Sequence, residues 1–278
     1  MIQLPIFKCR ASQVGLLHTG FKEATQKDLD RIDELYMEWS SGVNKNGNKV
    51  KWTDAKDAEY KKLKTLKDNP QLGETAKTML KEWVISQLTG KRKDITSKYF
   101  EHGIFAEDAV LERASNFFGH TFTKNDKQFA NDYFTGEPDA FNEELVIDVK
   151  SPYSSFTFPY FEQDAPDGYY GQLQVYMNLT GLKKASLVFG LENHSDDEID
   201  RLASKLAWKA GKEEPDMEDW NNAKKELTYD NIPEWMRIRT YDFEYSEEYI
   251  KKSEKLVILA REYISEVLVP ELEKLKNK

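Results

Sequence analysis

The chain has 278 residues, 39% hydrophobic and 13% aromatic, enough for a sizeable core in one large domain or two small ones. No stretch approaches the roughly 18 apolar residues of a membrane span, the opening Met1–Ser12 is too short and polar for a secretory leader, and the lone cysteine, Cys9, excludes both an intrachain disulfide framework and any cluster held by several thiolates of this chain. The expected compartment is therefore the cytoplasm. The net charge of −9 counts against nucleic acid as a partner, but basic groups remain at Lys8, Arg10, Lys22 and Lys91-Arg92-Lys93, and acidic residues gather in the C-terminal third.

In chain order, residues 1–20 read as an extended lead-in with a turn, where Ser12 can cap a short helix near Val14–Leu17. Helical spacing follows over Thr25–Trp39, with Leu29, Ile32, Leu35, Tyr36 and Trp39 on one side. Ser40–Asn48 is a loop, and the Lys-rich Ala55–Leu66 is a helix with a solvated face. Glu74–Leu88 is a clearer helix whose stripe is Ala76, Met79, Leu80, Trp83, Val84 and Leu88, stopped at Gly90. Tyr99–Phe118 is another, with Phe105, Ala109, Val110, Ala114 and Phe117 buried and Gly119 closing it. Strands are predicted at His120–Thr123 and Phe129–Phe134, followed by a hairpin. Ser151–Asp167 is an aromatic-rich loop, Gly168–Thr180 a helix stopped by Gly181, and Ala185–Leu191 a buried strand. Ser195–Ala210 and Asp216–Leu227 read as a charged helical insertion, Arg237–Tyr245 as a strand, and Ser246–Val269 as a long helix ended or interrupted by Pro270. The predicted fold is α/β (α+β): a small mixed sheet flanked by helices, with a helix–strand–strand–strand–helix–strand centre.

The hairpin Gly136–Lys150 carries the chemistry. Side chains alternate along a strand, so Asp148 and Lys150 share one face and Ile147 and Val149 the other. Burying an acid and an ammonium in an otherwise apolar strand is costly unless they pair or meet a metal. Asp139 adds a second carboxylate one hairpin earlier. Two hard oxygen donors suit Mg²⁺ or Mn²⁺. Gln172 and Tyr176, four apart on the next helix, share one face and can hold Lys150 or a phosphate. Glu107 falls near the edge of the stripe on the 99–118 helix. His18, His102, His120 and His194 show no ligand spacing and read as structural or surface groups.

These residues, in this order, resemble the PD-(D/E)xK nuclease superfamily with its α-β-β-β-α-β, restriction-endonuclease-like core. Closer in, the chain resembles the phage-type recombination exonucleases, the lambda exonuclease and YqaJ-like group. The resemblance runs from about Arg10 to Leu191 through Arg10-Ala11-Ser12, the helix from Gly73 to Gly90, Gly103 with Glu107, Gly136-Glu137-Pro138-Asp139, Asp148-Val149-Lys150-Ser151-Pro152 and Tyr170–Gln174. It implies one nuclease domain over 1–278: a helical part at 1–98, the catalytic core at 99–191, an insertion at 195–229 that lies outside the pattern, and a strand and C-terminal helix at 235–278. It implies Mg²⁺, replaceable by Mn²⁺, on Asp139 and Asp148, with Glu107 joining directly or through water. Lys150 would position water, Gln172 would support Lys150 or the phosphate, and Arg10 and Ser12 would hold a 5′ phosphate. The cysteine-held iron–sulfur cluster of RecB-like relatives is not expected. The implied activity is 5′→3′ digestion of double-stranded DNA ends by a ring-shaped homo-oligomer, in such relatives often a trimer. Such a phage or prophage product would act in a bacterial host cell with a single-strand annealing protein. Two other readings stay open: a restriction-like or junction-resolving endonuclease of the same superfamily, and an inactive nuclease-fold DNA-binding protein.

Overall fold

The computed structural model describes residues 2–91, 93 and 97–277; Arg92 of the basic run at 91–93 lies outside them. In chain order the elements are β1 (Cys9–Arg10), α1 (Val14–His18), α2 (Gln26–Ser41), α3 (Asp54–Asp68), α4 (Glu74–Thr89), α5 (Lys98–Phe118), β2 (Phe129–Ala130), β3 (Phe134–Gly136), β4 (Ala140–Phe141), β5 (Leu145–Lys150), α6 (Tyr169–Thr180), β6 (Lys184–Gly190), α7 (Asp196–Lys209), α8 (Met217–Leu227), β7 (Ile238–Glu244), α9 (Glu247–Tyr263) and α10 (Val269–Glu273). Helix ends follow local chemistry. Thr25 and Asp28 form a reciprocal capping box that starts α2, and Gly90 and Gly119 take the left-handed conformation that stops α4 and α5.

The chain divides into two compact units. The first holds residues 1–7, 16–91 and 255–278 and is helical. Arg31 bridges α2 to α3 through both oxygens of Glu59, each at 2.9 Å. Phe7 meets Trp83 edge-on at 5.1 Å, and Arg261 donates to the Phe7 carbonyl. Between α9 and α10 the helix widens into a π turn at Ile264–Leu268. Pro270 explains it: proline has no N–H to donate and its ring crowds the carbonyl four residues back, which the wider turn relieves. Tyr36 and Trp39, expected in the stripe of α2, are exposed; only Ile32 and Leu35 of that helix are buried. Leu88 is likewise exposed.

The second unit holds residues 8–15 and 92–254. Its main sheet has the order β4-β5-β6-β7, with β5 and β6 parallel and both outer pairings antiparallel. Ile147 and Val149 of β5 and Val188 of β6 join Val110, Leu111 and Ala114 of α5 in one cluster. Asp148 faces the other way, toward α6. The sheet therefore lies between α5 and α6, as a strand buried on both faces requires. A smaller sheet, β1-β3-β2, pairs β1 parallel to β3 and β2 antiparallel to it. Helix α6 is anchored at the far edge by the buried Gln174, which donates to the Glu244 carbonyl and accepts from the Ser246 amide, both at 2.7 Å.

Two further expectations need correction. Phe105 and Phe117 are exposed, and the buried stripe of α5 is His102, Ala106, Val110, Leu111 and Ala114. The reason is close approach: a Cβ on Gly190 of β6 would sit 2.7 Å from Val110, so only small or slim side chains fit between helix and sheet. His120–Thr123 is not a strand; beside it, Lys124 makes one isolated bridge to Ala140. No helix among the described residues is long and apolar enough to cross a membrane.

Candidate active site

Asp139 sits one residue before β4, and β4 pairs with β5 so that Ala140 opposes Ile147. Continuing that register sets Asp139 beside Asp148, and Asp139 Oδ2 accepts the Val149 amide at 2.7 Å. Lys150, two residues beyond Asp148, turns to the same face. Its Nζ lies 2.7 Å from Asp148 Oδ2 and 4.0 Å from Asp139 Oδ2, and it donates to the Val149 carbonyl at 3.0 Å. The Lys150 contact to Asp148 is an ion pair without hydrogen-bond alignment, so the fully buried Asp148 Oδ2 accepts no directed hydrogen bond.

Helix α6 closes the other side of Asp148. Gln172 Nε2 donates to Asp148 Oδ1 at 2.9 Å and to the Tyr176 hydroxyl at 3.0 Å. The amide thus orients the second carboxylate, where the sequence pointed to Lys150 or a phosphate. Tyr176 is held close to β3: a Cβ on Gly136 would meet Tyr176 Cε1 at 2.9 Å and the Ala11 Cβ and Leu179 Cδ1 at 3.1 Å. Only glycine fits that position.

The electrostatics follow from two acids and one ammonium under cover. Burial first, and then the charge of Asp148, push Asp139 up to about 7 against the pull of Lys150 and the Val149 amide, with Glu107 adding to the rise. Burial alone would lower the Lys150 pKa, but Asp148 and Asp139 outweigh it and hold the ammonium above its usual range. Burial, and then the two carboxylates, raise Tyr176 as well, so the phenol stays neutral.

Glu107 of α5 is paired with Lys124 at 3.1 Å. It lines a cleft of about 330 Å³ together with Asp139, Tyr176, Arg10 and Ser12. Of the predicted substrate residues, Arg10, Ser12 and Tyr176 are brought to the same cleft as Asp139, and Gln172 is not in its lining. The local setting of Arg10 and Ser12 differs from the extended lead-in expected: Arg10 ends β1 opposite Thr135, and Ser12 lies inside a 3₁₀ turn at Ala11–Gln13. A second opening beside it is lined by Lys150, Asp139, Glu107, Tyr99, Phe100 and Tyr169. In the aromatic loop, Phe156 and Phe161 are exposed while Phe158 is buried.

The donor set fits a hard divalent cation. Two carboxylates converge with one ammonium between them, one buried oxygen lacks a directed hydrogen bond among the described residues, and burial, then the charge of Asp148, pushes Asp139 up to about 7. Asp139 and Asp148 are the residues that could hold such a cation, with Glu107 on the cleft wall.

Sequence reasoning missed one cluster. His102 of α5, His194 after β6 and Glu198 of α7 are all buried, and each offers a donor atom within 4.8 Å of the others. The available signal was local: Ser195 and Glu198 have capping-box spacing, yet Glu198 turns inward to His194 four residues before it.

No family model and no curated protein matches the chain. Solved structures do. A phage-related exonuclease from Haemophilus somnus 129PT superposes with a TM-score of 0.67 at 20% identity, over 96% of this chain and 97% of that one. An alkaline exonuclease from Laribacter hongkongensis superposes with a TM-score of 0.54 at 15% identity, over 96% and 94%, both alone and in its complex with dAMP. At these identities the likeness is one of fold: the chain has the fold of the phage-type exonucleases that its motifs resemble.

Proposed function

We propose that this chain is a divalent-metal-dependent deoxyribonuclease that digests duplex DNA from its ends, with 5′→3′ polarity. The observation that supports it most is the triad geometry: Lys150 Nζ at 2.7 Å from Asp148 and 4.0 Å from Asp139, on a fold shared with exonucleases. When bound, Mg²⁺ or Mn²⁺ supplies Lewis acidity toward a phosphodiester and lowers the pKa of water. Asp139 and Asp148 hold that charge in place. Lys150, kept cationic, orients the attacking water and offsets charge on the phosphate. Gln172 fixes Asp148, and Tyr176 stays a neutral hydrogen-bond partner to Gln172. Arg10 and Ser12 meet a terminal phosphate at the cleft.

A ring-shaped homo-oligomer and a single-strand annealing partner in phage-type recombination extend this reading through the resemblance. Light scattering at micromolar concentration tests the assembly, where a monomer mass counts against it. The activity test compares linear with covalently closed circular DNA, each with Mg²⁺ or with EDTA. Loss of linear DNA alone, in Mg²⁺ alone, is the expected result. Cutting of closed circles would make the protein an endonuclease, and no cutting of either would leave a DNA-binding protein.

A further inference from the structure

We propose that His102, His194 and Glu198 form a second metal site, for Zn²⁺ or a similar transition metal, which ties the first turn of α7 to α5 and the end of β6. The three residues are 0%, 4% and 8% exposed. The hydrogen bonds around them fix where the protons are. His194 Nε2 lies 2.8 Å from the Tyr153 carbonyl, which can only accept, so Nε2 carries hydrogen. Ser151 Oγ donates to the Gly190 carbonyl at 3.2 Å, so its contact with His102 Nε2, also 3.2 Å, has the imidazole as donor. Both rings therefore present Nδ1 as a lone pair in the neutral state.

Those two lone pairs point at a carboxylate. His194 Nδ1 is 3.0 Å and His102 Nδ1 3.5 Å from Glu198 Oε2. Basic atoms facing one another under burial repel unless a proton or a cation lies between them. His102 Nδ1 and Glu198 Oε1 have no hydrogen-bond partner among the described residues. Donors sharing a metal at about 2.1 Å with tetrahedral angles lie about 3.4 Å apart, between the two spacings seen. Glu198 is the third ligand; its two oxygens are too close together to fill two tetrahedral corners, so water completes the four. Each imidazole also donates its other N–H to a fixed oxygen, the arrangement that orients metal-bound histidines. Two nitrogens and a carboxylate suit Zn²⁺ over Mg²⁺. The rings stack at 4.0 Å and 21°, so loading opens them slightly about the carboxylate.

The test is a Co²⁺ titration of the whole chelator-treated protein, read by visible absorption. The expected result is one equivalent that gives the intense bands of four-coordinate Co²⁺ and is displaced by Zn²⁺, while Co²⁺ on Asp139 and Asp148 adds only weak absorption. Glu198→Gln and His194→Gln lose the bands, while Asp148→Asn keeps them because its site lies elsewhere. Bands that survive in folded Glu198→Gln would overturn the assignment. If either variant fails to fold, zinc-edge X-ray absorption on the unaltered protein decides: two imidazoles about the metal support the site. An unaltered protein that gives only the weak spectrum of hydrated Co²⁺ and takes up no zinc sinks it, and the contacts are then bridged by a proton on His194 or Glu198.

Discussion

Gln172 donates to Asp148 Oδ1 at 2.9 Å and leaves Oδ2 to face Lys150. One helix thus sets the angle at which a buried carboxylate meets its ammonium. Removing this amide leaves both acids present but lets Asp148 rotate. We expect Gln172→Ala to fold normally and to lose about 10–100-fold in activity or metal affinity, the usual effect of losing a hydrogen bond that orients a metal ligand. Rates measured against Mg²⁺ concentration check this. A variant with unchanged kcat and unchanged Mg²⁺ dependence would mean that the bond is only structural.

We expect Asp139 to make metal binding pH-dependent. Its pKa in the folded, metal-free protein is about 7, against an ordinary 3.8. Between those values the folded chain holds more proton on this group than the unfolded chain does. Its contribution to stability therefore falls as pH rises through that window and is lowest above 7. A cation that binds the ionised form must displace the proton below about pH 7. We expect Mg²⁺ uptake at pH 6 to release more protons than at pH 8, measured by calorimetry in buffers of different ionisation enthalpy. Asp148→Asn removes the neighbouring charge, so it should lower the Asp139 pKa, flatten that pH dependence and abolish cleavage.

Gly136 holds Tyr176 by leaving room for it. Alanine there would put a Cβ 2.9 Å from the Tyr176 ring and 3.1 Å from two other side chains. Overpacking of this kind costs about 1–3 kcal/mol. We expect Gly136→Ala to lower the denaturant midpoint by a matching amount and to reduce activity through the displaced Tyr176–Gln172 pair. Rescue of activity, without full rescue of stability, in Gly136→Ala/Tyr176→Phe would instead indicate that the hydroxyl is the offending group.

Much of this site was legible because its chemistry is local. Asp139, Asp148 and Lys150 lie on one hairpin, where alternation alone decides facing, and Gln172 and Tyr176 are one helical turn apart. What failed was long-range or depended on fit. Periodicity ranks Phe105 and Phe117 above Ala106, but it does not register that Gly190 draws α5 close to the sheet and turns the small side chains inward. Lys124 and Glu107 pair across a stretch expected to be a strand. His102 is 92 positions from His194, and no spacing rule joins them; their proximity arises only when α5, β6 and α7 meet.

Arg10 provides the sharpest test of polarity. It ends β1, opposite Thr135, and lines the cleft shared by Asp139 and Glu107. Ser12 lines the same cleft from the adjoining 3₁₀ turn. A guanidinium grips phosphate through two parallel charge-assisted hydrogen bonds, and a hydroxyl adds a third. A terminal phosphate carries more charge than an internal one, so such a pocket favours 5′-phosphorylated ends. A hydrogen bond to a charged group is worth about 1.5–3 kcal/mol, roughly one to two powers of ten in rate. We expect Arg10→Ala to slow digestion of 5′-phosphorylated duplex by that factor and of 5′-hydroxyl duplex only slightly, with end-labelled substrates as the readout. Equal slowing of both would make Arg10 a general contact to DNA. No slowing of either would leave β1 a purely structural strand and withdraw the support that this end of the chain lends to 5′→3′ digestion.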